Sequence, residues 1–153
     1  MLTRRAWFQT AVAGGATLLI SQRLSASTGK KPEMLVFKKH NSPCCNGWIA
    51  HLKENGFTVK ERPVFDLPAV KADYRIPESL ITCHTAVVSG YIVEGHVPAD
   101  LIHKLLEEHR PVAGIAVAGA PASAPGFEST GVKEPYSVVL FYPDGRIEPY
   151  AQR

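Results

Sequence analysis

Cys44 and Cys45 lie side by side in the stretch Ser42-Pro43-Cys44-Cys45-Asn46-Gly47-Trp48, and the chain's third cysteine, Cys83, follows 38 residues later. Three cysteines cannot all pair within one chain. A bridge between neighbours would close a strained small ring. The thiols therefore leave two arrangements: one bridge to Cys83 with a spare thiol, or three thiolates on a soft metal. Histidines sit close by in sequence, with His40 before the pair, His84 beside Cys83 and His96 after Gly95. Thiolate and imidazole together suit Cu(I) and also Zn(II).

The compartment sharpens the choice. The chain starts Met1-Leu2-Thr3-Arg4-Arg5-Ala6-Trp7-Phe8, continues through an apolar run from Ala11 to Ile20, and leaves through Ser25-Ala26-Ser27. A charged start, a short apolar middle and a small-residue exit make an export signal over residues 1–26, of the twin-arginine type. The run is too short to read as a membrane span. Export places the protein in the periplasm, where idle thiols do not persist. The signal holds three of the 17 basic residues and none of the 14 acidic ones, so the remainder is formally neutral. No basic patch asks for nucleic acid.

What must position the thiols is a strand, a loop and a helix. Residues 27–33 read as a flexible leader, and 34–153 as one domain. Met34–Lys38 reads as a buried strand. Ser42 is placed as N-cap and Pro43 as first helical residue, with the helix running to Asn55 and Gly56 stopping it. Phe57–Glu61 alternates as a second strand, so the domain opens β-α-β with a parallel pair. Cys45, Ile49 and Leu52 share the face that should pack on the sheet, with Cys44, Trp48 and His51 as the neighbouring stripe. Both thiols fall in the first turn, where the helix dipole and unpaired N–H groups favour thiolate. His51, His103 and His109 read as helix-surface residues.

Downstream, Asp66–Asp73 reads as a short helix. Ala86–Val88 and Tyr91–Val93 form a small hairpin across Ser89-Gly90. Pro98 opens a helix to His109, and Gly114–Val117 is a further strand. Residues 119–135, rich in Gly, Pro, Ala and Ser, form a long loop of the kind that is often functional. Tyr136–Phe141 and Arg146–Tyr150 flank Tyr142-Pro143-Asp144-Gly145, the strongest hairpin signal in the chain.

These blocks resemble a known family. Cys44-Cys45-Asn46-Gly47-Trp48, Cys83-His84-Thr85-Ala86 and Gly90-Tyr91-Ile92-Val93-Glu94-Gly95-His96-Val97-Pro98-Ala99 are similar to the bacterial predicted metal-binding proteins that include the periplasmic copper-resistance protein CopG. The resemblance covers about residues 34–150. It implies a thioredoxin-like α/β fold: a mixed sheet with flanking helices and a C-terminal β-hairpin. It also implies copper binding through clustered cysteines, copper redox activity, and a place beside other periplasmic copper-handling proteins. This chain departs from the family pattern. Ser42 stands where the pattern has the first cysteine of Cys-x-Cys-Cys, and Ala120 and Phe127 stand where it has methionines.

Of the two segments that could supply the antiparallel hairpin of such a sheet, Tyr136–Tyr150 is expected to do so, having longer strands and the stronger turn. Residues 80–96 would then be an inserted segment that returns Cys83 to the helix start. The expected metal ligands are Cys44, Cys45, Cys83, His84 and His96, holding Cu(I), with Zn(II) compatible. Ser42 is expected to cap the helix rather than ligate, and Trp48 to be core or site wall. Two other readings use the same residues. One is a thiol–disulfide oxidoreductase with Cys44 as nucleophile, although the usual Cys-x-x-Cys spacing is absent. The other is a non-catalytic domain in which Cys45 and Cys83 form a structural bridge and the metal site is lost.

Overall fold

The computed structural model describes residues 29–127 and 131–153. The segment read as an export signal lies outside them. The elements in chain order are β1 (Glu33–Lys38), α1 (Pro43–Glu54), β2 (Thr58–Pro63), α2 (Leu67–Asp73), a 3-10 turn (Glu78–Leu80), β3 (His84–Val88), β4 (Tyr91–Glu94), α3 (Ala99–Glu108), β5 (Gly114–Ala116), β6 (Ser137–Phe141) and β7 (Ile147–Gln152). Glu33, placed in the leader from sequence, belongs to β1.

The seven strands form one sheet in the order β2-β1-β3-β4-β5-β6-β7. β1 runs parallel to β2, and β3 lies antiparallel to β1 and to β4. With α1 crossing from β1 to β2 and α3 leaving β4, this is the thioredoxin-like arrangement. β5 then adds parallel to β4, and the β6–β7 hairpin extends the sheet beyond it.

That order overturns one expectation. The hairpin 84–94 sits in the middle of the sheet and completes the thioredoxin-like core; residues 80–96 are no insertion. Turn strength and strand length report how well a hairpin stands alone, not where it goes. Burial is the better guide. Four of five residues in β3 and three of four in β4 are buried, as strands paired on both edges require. β7, the edge strand, is half-buried or exposed throughout.

Both faces of the sheet are covered. Met34, Val36, Trp48, Leu52, Val93, Leu105 and Leu140 belong to the main core. Ile92, the neighbour of Val93 and so facing the other way, joins Ile76, Leu80, Ala116 and Phe141 in a smaller cluster. Helix α1 buries Cys45, Trp48, Ile49 and Leu52. α2 begins where its Asp66 cap accepts from Ala69 N at 3.0 Å. α3 buries Leu101, Ile102 and Leu105.

His51 and His103 are half-buried, contrary to the surface placement read from sequence, while His109 is exposed. They join α1 to α3. His51 Nε2 accepts from Ala99 N at 3.1 Å, and His103 Nε2 donates to Asn55 O at 2.8 Å. No helix among the described residues is long and apolar enough to cross a membrane.

Candidate metal centre

The site begins at the first turn of α1. Pro43 occupies its opening position; Ser42 holds the cap position but makes no side-chain cap hydrogen bond. Lys38, at the end of β1 and nearly buried, donates to Asn46 Oδ1 at 2.7 Å and pairs with Glu61 Oε2 at 2.9 Å. This lysine ties the turn that carries Cys44 and Cys45 to β1 and β2. Cys45 is buried and Cys44 half-buried.

Cys83 arrives from the other side, at the entry to β3. Its Sγ lies 3.6 Å from both Cys44 Sγ and Cys45 Sγ, and those two lie 4.0 Å apart. The next residue, His84, is fully buried. Its Nδ1 is 3.4 Å from Cys83 Sγ and 3.5 Å from Cys45 Sγ. Its Nε2 faces Gly95 O at 3.0 Å. A carbonyl only accepts, so the proton sits on Nε2 and the Nδ1 lone pair faces the sulfurs. His96 is the mirror case. Nδ1 donates to Pro125 O at 2.7 Å, and Nε2 is 3.7 Å from Cys83 Sγ.

The walls are aromatic. Trp48 stacks on His84 at 4.3 Å between centroids, and its Nε1 donates to Val97 O at 2.8 Å. Phe127 stacks on His96 at 4.2 Å. Trp48 is therefore both core and site wall. Two glycines make the enclosure fit. A Cβ on Gly47 would meet Gly126 Cα at 2.9 Å, so the loop can lie on α1 only because that helical position has no side chain. Gly95, at φ 76°, has no room for a Cβ against Val117 O.

All five residues singled out from the sequence converge. Their donor atoms form two sets, each within 4.8 Å: Cys44, Cys83 and His96, and Cys45, Cys83 and His84. Cys83 belongs to both. His40 does not join them; its ring lies tilted against the exposed Phe65, 5.2 Å between centroids.

Two solved structures of a copper resistance protein copG match this geometry at the level of the whole fold. Forms 2 and 1 are each 38% identical, with TM-scores of 0.77 and 0.76. Each match covers 81% of this chain, and 99% and 98% of the respective copG chains. The chain belongs to the copG family. Residues 80–127 also match the family model described as a protein of unknown function, DUF411. No curated protein matches the chain.

Of the positions in this copG relative that depart from the family pattern, Phe127 packs its ring on His96. Ser42 holds the cap position of α1, but its hydroxyl makes no cap hydrogen bond, contrary to the expectation that it caps the helix.

The thiols are electrostatically unequal. Cys45 is drawn down to about 4, first by its hydrogen bond with Cys83, with burial opposing it. Cys83 is pushed up, because it faces the Cys45 thiolate and is itself half-buried. The first negative charge thus rests on Cys45 and the shared proton on Cys83. The sequence reading credited the helix start; the neighbouring thiol is the larger cause.

The donors fit a soft metal. Metal–sulfur bonds of about 2.3 Å at a tetrahedral centre hold sulfurs about 3.8 Å apart, close to the 3.6–4.0 Å found here. A disulfide needs about 2.05 Å. Sequence reasoning missed the groups that support these ligands: Pro125 O, Gly95 O, and a buried pair formed by Lys71 and Glu94. The last left a readable signal, an acidic residue ending the apolar run Tyr91-Ile92-Val93-Glu94.

Proposed function

We propose that this protein is a periplasmic Cu(I)-binding protein that contributes to copper handling or resistance. One observation carries the reading: three sulfurs and two buried imidazole nitrogens converge as two three-donor sets that share Cys83. Soft thiolate with imidazole suits Cu(I), which is content with two to four donors. A structural zinc site takes four protein ligands, and each set here offers three. The similarity to a copper resistance protein copG supports copper as the cargo. The export signal read from residues 1–26 supports a periplasmic location.

The residues divide the task. Cys44, Cys45 and Cys83 supply charge and sulfur. His84 and His96 present fixed lone pairs, because their other nitrogens are occupied by Gly95 O and Pro125 O. Trp48 and Phe127 keep water from the imidazoles. Each set has donors for one Cu(I), with Cys83 common to both ions.

The test is Cu(I) uptake by the reduced protein without oxygen, in competition with a chromophoric chelator, beside Cys44→Ser/Cys45→Ser. The expected result is tight uptake that the double variant loses. No uptake by the wild type contradicts the proposal.

The thiol–disulfide reading has one observation in its favour: a Cys45 sulfur drawn toward thiolate with Cys83 at 3.6 Å. Insulin reduction equal in the wild type and Cys45→Ser would remove it.

A further inference from the structure

Beneath the sulfurs lies an ion pair that the metal site does not itself use. Lys71 comes from α2 and is 4% exposed; Glu94 ends β4 and is 0% exposed. The ammonium makes three bonds, to Glu94 Oε1 at 2.6 Å, Thr85 Oγ1 at 2.9 Å and His84 O at 3.1 Å. Its three protons are all used. Glu94 Oε1 also accepts from Thr82 N at 2.7 Å and Thr82 Oγ1 at 2.8 Å, and Oε2 accepts from Thr85 Oγ1 at 2.7 Å. Thr82 Oγ1 lies 3.2 Å from His84 O as well.

These contacts bracket Cys83. They hold the residue before it by its N–H and hydroxyl, the residue after it by its carbonyl, and Thr85 beyond by its side chain. The same Glu94 precedes Gly95, whose carbonyl fixes the His84 ring. A buried ion pair is a poor way to stabilise a fold, since an apolar pair of similar volume often serves as well or better. It is a good way to hold a short backbone segment in one place. Thr82 and Cys83 precede the first ladder residue of β3 and lack the full pairing that the strand enjoys.

We infer that Lys71 and Glu94 are positioning residues for the metal site: their shared hydrogen-bond network fixes Thr82–Thr85, and through that backbone the Cys83 sulfur and the His84 ring. The inference rests on the metal-site reading for its purpose. Neither residue belongs to a donor set. Their effect is exerted through the one donor common to both sets, so both ions depend on them.

The deciding variant is Lys71→Met/Glu94→Leu, which replaces the pair by apolar groups and leaves no unpaired charge. A pair that only stabilises the fold can be exchanged this way without consequence for the site. Two readouts are needed: Cu(I) affinity by anaerobic chelator competition, and the side-chain 15N shifts of His84 in the metal-free reduced protein at fixed pH. The expected result is a folded variant with Cu(I) affinity lowered about 10–100-fold, the range found when a group orienting a metal ligand is lost. Its His84 nitrogens should also lose the pattern of a single tautomer protonated at Nε2. A folded double variant with unchanged affinity and unchanged His84 shifts overturns the inference.

Should the double variant not fold, Thr82→Val serves instead. It removes only the hydroxyl contacts to Glu94 and His84 O, and a several-fold loss of affinity is expected. Affinity equal to wild type overturns the inference. Absence of Cu(I) uptake in the wild type defeats the parent reading, while the His84 shifts of the metal-free variants still decide whether the pair positions that ring.

Discussion

The two donor sets use nearly the same chemistry and rest on different supports. The inner set, Cys45, Cys83 and His84, has two buried members; the outer set, Cys44, Cys83 and His96, has one. The inner histidine is the first residue of a central strand, stacked on Trp48 and held by Gly95 O. The outer histidine takes its orientation from the 119–135 loop, through Pro125 O and the Phe127 ring. That loop buries Ala124 and lies on α1 through Gly126, and its far side is held by exposed contacts: Ser123 Oγ accepts from Glu134 N at 2.6 Å, and Ala122 N donates to Glu134 Oε2 at 3.1 Å. Strands of a central sheet open only with the fold, whereas a loop anchored partly by exposed contacts opens more readily. The difference teaches that donor identity does not set lability alone. The outer ion should be the first to leave, and the inner one should leave only as the core loosens.

The comparison can be broken most severely at its supports. Lys71→Met strands Glu94 as an unpaired buried charge and should cost about 3–5 kcal/mol of stability. Ser123→Ala, in the loop, should cost about 1 kcal/mol or less. Urea unfolding of the metal-free proteins measures both; equal losses would remove the distinction between the two frames.

A smaller effect sharpens it from the outer side. Gly126 has φ 93°, and a Cβ there would meet Trp48 N at 2.6 Å. Gly126→Ala should lift the loop from α1 at a cost of about 1–3 kcal/mol. Chelator titration should then find one Cu(I) weakened and the other held. Equal weakening of both would mean that the loop supports the whole site.

The smallest effect is a proton. Cys45 ionises near 4 in the fold, rather than near the ordinary 9. Between those values the unfolded chain holds the extra proton, so the Cys45 contribution to stability grows with pH. It is fully present above 9 and gone below about 4. Thiolate absorbance of the reduced metal-free protein should persist at neutral pH, fade on acidification toward 4, and be missing at neutral pH in Cys45→Ser. Persistence in Cys45→Ser would place the charge on another sulfur.

Much of the inner frame was legible in the sequence, and less of the outer one. The β-α-β opening, the cysteines at the start of α1, and the Cys45, Ile49 and Leu52 face follow from local periodicity and from Pro43. The donors His84 and His96 were reachable because each sits beside a marker, Cys83 or Gly95. Strand order was not reachable from local signals, which is why the 84–94 hairpin was placed outside the core it completes. Contacts made by backbone carbonyls, such as Pro125 O and Gly95 O, leave no side-chain trace at all. Gly47, an odd choice inside a helix, is a visible hint that another backbone must come close. The half-buried His51 and His103 show the same gap: their partners, Ala99 N and Asn55 O, are main-chain atoms.

Cys83 is where the two sets meet, and the most direct measurement is copper stoichiometry across the three cysteines. Anaerobic Cu(I) titration of the reduced wild type should give two equivalents. Cys44→Ser and Cys45→Ser should each retain one, and Cys83→Ser should retain none. A Cys83→Ser protein that still binds one or two equivalents tightly would contradict a site built around a shared sulfur.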